Sequence, residues 1–160
     1  MGVSTASPRH STDVSLKIIQ HMLRDKCARE NIEEAIFKKM DFKVDAQYSI
    51  THMAMIVRVA WKDPDGDKRR SVQVLIDDNV SSDIGIFAQE VKSLVDNLSL
   101  KGELYFFKLD RHFKNRVEKV VCDKDGSVTV LFKNGHMVEG KEHRLDSTEF
   151  LATCAMVYDL

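Results

Sequence analysis

Residues 48–76 read YSITHMAMIVRVAWKDPDGDKRRSVQVLI, and this stretch decides the class of fold. Met53, Met55, Val57, Val59 and Trp61 stand on one alternation, with Ile50, Ala54 and Ile56 on the other. A period of two means a strand, here a long one from Tyr48 to Trp61 that is apolar on both faces through its middle. Asp63-Pro64-Asp65-Gly66 breaks it, because proline presets one turn dihedral and glycine accepts a positive one. Val72, Val74 and Ile76 then alternate with Ser71, Gln73 and Leu75 as the returning strand of a hairpin.

Upstream of this hairpin the period is helical. Val14, Ile18, Ile19, Met22 and Leu23 form an apolar stripe behind a Thr12-Asp13 cap. Ile32, Ala35, Ile36 and Met40 form a shorter stripe behind Asn31. Residues 1–11 are expected to be a flexible tail. Downstream, Ser81-Ser82-Asp83 caps a third helix, in which Ile84, Phe87, Val91, Leu94, Val95 and Leu98 repeat at helical spacing. Gly102 then reads as a stop signal.

The last third returns to strands: Leu104 to Leu109, Arg116 to Cys122, Ser127 to Lys133 and His136 to Lys141. The turns between them are Asp123-Lys124-Asp125-Gly126 and Asn134-Gly135, the second suited to type I′. Asp146 and Glu149 resemble a capping box for a closing helix through Phe150, Leu151, Cys154 and Val157, with a final strand as the other option over 147–158. The expectation is a single α+β domain over 12–160. A mostly antiparallel sheet of five or six strands packs against N-terminal helices and one long central helix.

Composition narrows the function classes. With 24 Lys+Arg against 25 Asp+Glu, the chain has no global attraction to nucleic acid or anionic membranes. Cys27, Cys122 and Cys154 are too far apart to read as a disulfide framework or zinc site, and fit reduced cysteines. No apolar run approaches the roughly 18 residues a membrane helix needs. The first thirteen residues lack the apolar segment of a secretory signal and hold one basic residue, Arg9, beside His10. These features point to a cytoplasmic or nuclear protein with no membrane association.

Candidate chemistry is sparse. Asp63, Asp65 and Asp67, and separately Asp123 and Asp125, superficially resemble calcium-loop fragments, but their glycines come fourth where an EF-hand needs its glycine sixth. They read as turns, and no metal or cofactor is expected. Cys122, His112 and Asp110 lie near one another in sequence, yet flank no nucleophile motif, and a structural cysteine is the reading. Six scattered histidines include His52, expected mid-strand, where a neutral imidazole needs a partner. Asp45, Tyr48 and His52 are therefore the first suspects for a ligand pocket. Lys108, Arg111, Lys114 and Arg116 are interleaved with Tyr105, Phe106, Phe107 and Phe113, the mixture that binds single-stranded RNA or DNA by stacking and charge. Acidic Glu103, Asp110 and Glu118 dilute that pattern.

The run from Gly126 to Gly135 is similar to the hairpins of polo-box and related centriolar modules, over ten residues of general hairpin composition. The order of elements resembles cone-shaped folds of the nuclear-transport-factor-2 type, with a hairpin where those place a helix. Neither resemblance assigns a family or transfers a residue.

Two-sided apolar strands without a catalytic constellation favour a non-catalytic protein–protein interaction or adaptor module, acting as a dimer or within a complex. Its surface is expected to involve Met53, Met55, Val57, Trp61, Tyr105 and Phe107. A pocket-bearing small-ligand binder or enzyme ranks second, and nucleic-acid binding through 101–119 third.

Overall fold

A computed structural model describes residues 2–77 and 83–159, with side chains from Leu16 onward except that of Ile84. The elements in order are α1 (Gly2–Arg29), α2 (Glu34–Lys39), β1 (Lys43–Ser49), β2 (Ala54–Lys62), β3 (Arg69–Asp77), α3 (Ile84–Asp96), α4 (Leu100–His112), β4 (Val117–Cys122), β5 (Ser127–Phe132), β6 (Met137–Lys141), a 3₁₀ turn (Glu142–Arg144) and α5 (Thr148–Tyr158). The strands form two separate antiparallel sheets, β1-β2-β3 and β4-β5-β6, which corrects the expectation of one five- or six-stranded sheet. The chain divides into two compact units, Met1–Leu98 and Ser99–Leu160, and each holds one sheet.

In the first unit α1 buries Ile19, Leu23 and Cys27, residues four apart on one face. The helix begins at Gly2, upstream of the Thr12-Asp13 cap read from sequence. It ends at Asn31, which adopts φ 61° while Ile32 N–H donates to Cys27 O and Asn31 N–H to Ala28 O. That is the paired bond pattern of a left-handed helix stop, so Asn31 closes α1 and does not cap α2. Asp83 caps α3 as expected, accepting from Gly85 N–H at 2.9 Å and Ile86 N–H at 3.2 Å. Ser81 and Ser82 lie outside the described residues.

The long strand read over 48–61 is two strands with a turn between them. Ser49 pairs with Ala54, and Ile50 to Met53 form the turn. β2 and β3 pair over nine residues from Ala54–Asp77 to Lys62–Arg69. Val57, Val59, Trp61 and Ile76 share the buried face, where Trp61 lies against Phe42 and Phe42 against Phe37. The opposite face is mostly polar, with Asp45, Arg58 and Gln73 in one cross-strand row and all three exposed. The two-sided apolarity read from sequence is therefore confined to Ala54, Ile56, Ala60 and Leu75 on that outer face, and internal packing supplies the burial of the other.

In the second unit Val117, Val120, Val128, Val130, Phe132 and Val138 make the covered face. Residues 104–109, expected as a strand, lie inside α4, whose Phe106, Phe107 and Leu109 are buried. Gly102 sits in the first turn of α4 and is no stop. A Cβ there would fall on the Val120 carbonyl oxygen of β4 and 2.6 Å from Ser99 Oγ. Glycine thus sets how closely α4 approaches β4. Ser99 Oγ accepts from both Gly102 N–H and Cys122 N–H at 3.1 Å, tying the helix start to the strand end. Gly140 likewise makes room for the Phe150 ring of α5.

Both tight turns of this sheet share one geometry. Gly126 N–H donates to Asp123 O and Gly135 N–H to Phe132 O, with only the glycines at positive φ (86° and 90°). These are type I turns closed by a left-handed glycine, which corrects the type I′ assignment at Asn134-Gly135. Asn134 instead uses its side chain: Nδ2 donates to Val157 O at 3.1 Å and Tyr158 O at 3.0 Å, capping the end of α5. Ser147, and not Asp146, caps the start of α5, accepting from Phe150 N–H at 3.1 Å.

Candidate interaction surface

The turn joining β1 to β2 gathers the most exposed large apolar side chains among the described residues of the first unit. Ile50 is 81% exposed, Met53 58% and Tyr48 46%. Residues 46–57 contain no Asp, Glu, Lys or Arg in a chain that is 31% charged. The other end of the same sheet is crowded with Asp41, Lys43, Lys62, Asp63, Asp65, Asp67, Lys68, Arg69 and Arg70. The sheet thus has one end crowded with charge and one end where the turn itself is uncharged and Asp77 of β3 stands beside Ala54.

The turn is held by specific bonds. Met53 N–H donates to Ile50 O at 3.3 Å. His52 N–H donates to Ser49 Oγ at 3.3 Å, and that oxygen lies 2.9 Å from His52 Nδ1. Tyr48 hydroxyl donates to Met53 Sδ at 3.9 Å. Met53 itself adopts φ 51°, a conformation that glycine or asparagine takes at lower cost than a large side chain.

Of the sequence-derived surface residues, Met53 is at this tip and Met55 is half-buried beside it in β2. Val57, Trp61 and Phe107 lie at 0%, 1% and 1% exposure, so they are core and offer no surface. Tyr105 is half-buried on α4 in the other unit, where its hydroxyl donates to Glu142 Oε1 at 3.0 Å. Lys101 Nζ sits 2.9 Å from the same oxygen and, as the largest influence, holds the Glu142 carboxyl below the usual carboxylate range. Burial, then the Glu142 bond, push the Tyr105 phenol up to about 12. These three groups form a clamp between α4 and the 3₁₀ turn, with their polar atoms spent on one another.

Asp45, Tyr48 and His52 do not converge. Asp45 and Tyr48 are three apart in a regularly paired strand and point to opposite faces, and His52 is in the exposed turn, not mid-strand. The basic stretch fares similarly. Lys108 pairs with Asp146 at 2.7 Å; Arg116 stacks on the Tyr158 ring at 4.7 Å and lies 3.9 Å from Asp159. Arg111 and Lys114 are exposed, but Phe106, Phe107 and Phe113 are buried and present no face for a base. Burial also pushes the Cys27 thiol up to about 12 and the Cys154 thiol up to about 11. Among the described residues no group of three or more His, Cys, Asp or Glu side chains gathers as a metal-binding set, and no helix is long and apolar enough to cross a membrane.

Ile50 was missed from sequence because it was assigned to a strand alternation. The uncharged run 46–57 was the signal that could have found it. No protein-family model, curated protein or solved structure matches the chain.

Proposed function

We propose that the chain is a non-catalytic protein interaction module whose contact site is the β1–β2 tip. The observation that carries this reading is the cluster of exposed Tyr48, Ile50 and Met53 on a turn without formal charge. A turn that only had to reverse the chain would be polar and would place glycine or asparagine at the left-handed position. Keeping methionine there, with isoleucine beside it, costs both conformational energy and solubility, and a partner offsets that cost. Side chains this exposed on a turn suit an apolar recess on another protein, and the contact should be insensitive to salt.

The test is affinity capture from native lysate with the full chain beside Ile50→Asp and a control, Asp65→Asn, at the charged end of the same sheet. A partner retained in high salt by the wild type and by the control, and lost with Ile50→Asp, supports the assignment. Partners captured equally by all three remove it.

A further inference from the structure

Three methionines are exposed among the described side chains: Met53 at 58%, Met137 at 64% and Met156 at 77%. An exposed thioether is open to two-electron oxidants, and on exposure alone Met156 reacts first and Met53 last. Met53 differs in what stands beside its sulfur. Tyr48 hydroxyl donates to Met53 Sδ, while neither Met137 nor Met156 has a hydrogen-bond donor among the described residues. Both ends of the Tyr48–Met53 pair are anchored. Tyr48 lies in β1 opposite Met55, and Met53 is held in the turn by its N–H bond to Ile50 O, at φ 51°. The hydroxyl stands 3.9 Å from sulfur. That separation leaves room for one oxygen bonded to Sδ, accepting from the phenol at about 2.8 Å.

We propose that Met53 is an oxidation site of the folded chain, selected over the more exposed methionines by the Tyr48 hydroxyl. The oxidant is a hydroperoxide. A sulfur lone pair attacks its terminal oxygen, the O–O bond breaks and an S–O bond forms. The proton of the transferred hydroxyl goes to the departing oxygen, which leaves as water or an alcohol. Sulfur gives up two electrons to the peroxide and becomes a sulfoxide. A thioether is a weak acceptor, whereas the sulfoxide oxygen gains negative charge as it forms. The bond from Tyr48 therefore strengthens along the reaction, which is the condition for accelerating it.

The consequence for binding rests on the contact site proposed above. Oxidation replaces an apolar side chain by a polar one, and an apolar recess would strip water from its S–O dipole. The tip thereby loses apolar contact surface. Methionine sulfoxide reductases restore the thioether by oxidising two thiols to a disulfide, so the mark is reversible.

The experiment is a time course of the folded full chain in hydrogen peroxide, read by peptide mass spectrometry with fragmentation that separates Met53 from Met55. Met53 should react ahead of Met137 and Met156. Tyr48→Phe keeps the ring and removes the donor, and should slow Met53 about fivefold, the rate equivalent of one ordinary hydrogen bond. An unchanged circular-dichroism spectrum checks its folding. A reaction order that follows exposure, with Met156 first, overturns the proposal, and so does a Met53 rate untouched by Tyr48→Phe. Retention of the oxidised chain on a phenyl matrix reads the apolar surface. It should fall more for wild type than for Met53→Leu, in which Met137 and Met156 still oxidise, and an equal fall overturns the loss of contact surface at the tip. None of these readouts needs a partner. A tip that captures nothing from lysate removes the contact site and leaves the oxidation site standing, while failed selectivity at Met53 does the reverse.

Discussion

Replacing Gly102 by alanine should destabilise the second unit, although alanine is the better helix former. In an open helix the exchange would gain about 1 kcal/mol. Here the new methyl would sit on the Val120 carbonyl oxygen, with the Val120 carbonyl carbon 3.0 Å away and Ser99 Oγ 2.6 Å away. The carbonyl belongs to β4 backbone and cannot rotate aside, so α4 must move outward. Overpacking of this kind costs about 1–3 kcal/mol. The shift also strains the Ser99 cap and its bond from Cys122 N–H, worth about 1 kcal/mol more. The net expectation is a loss of about 2 kcal/mol, read as a lowered urea midpoint with unchanged slope. Gly85→Ala is the internal control. It also lies in the first turn of a capped helix, but its Cβ would meet only Asp83 Oδ1 at 3.3 Å, the movable end of a side chain. That variant should be within about 0.5 kcal/mol of wild type or more stable. A Gly102→Ala protein as stable as Gly85→Ala would show that α4 does not depend on close approach to β4.

Asn134→Ala removes two bonds to the last carbonyls of α5 while sparing the turn glycine, and should cost about 1 kcal/mol in denaturant titration. Tyr105 should ionise near 12 by ultraviolet absorbance, and Tyr105→Phe should delete that late step. Its folded value is raised above the unfolded one, so its contribution is fully present below about 10 and is lost as pH climbs from there toward about 12. A disulfide thiol reagent should label half-buried Cys122 first in the native state, with buried Cys27 and Cys154 reacting on the timescale of unfolding. Met53→Gly should stabilise the fold by up to about 1 kcal/mol by relieving the positive φ, while weakening partner capture by the tip.

The parts of the fold legible in sequence are those in which one local pattern ran unopposed. The β2–β3 hairpin kept its alternation up to Trp61 and again from Val72, and α3 kept Phe87, Val91 and Val95 at helical spacing behind an Asp83 cap. α4 was hidden by two carboxylates. Glu103 and Asp110 are buried, at 5% and 2% exposure, with Asp110 accepting from Val117 N–H of β4, and they interrupt the apolar stripe that would have betrayed a helix. What remained visible, Leu104 to Leu109, looked like a strand because a six-residue, mostly apolar run has no readable period. The division into two sheets was not legible at all, since it depends on non-local pairing that turn chemistry leaves open.

The same reasoning explains why the candidate site was half seen. Surface was inferred from apolar surplus, but in a paired strand surplus on one face is ordinary core, and so Val57, Trp61 and Phe107 proved internal. Apolar residues carry information about partners only where the backbone cannot bury them. A turn is such a place, because its carbonyl and amide groups need solvent or local bonds, and those bonds here come from Ser49, Ile50, His52 and Met53 themselves. Once the backbone is satisfied locally, Ile50 projects outward with no structural duty in the turn, and Tyr48 and Met53 project beside it, bonded to each other.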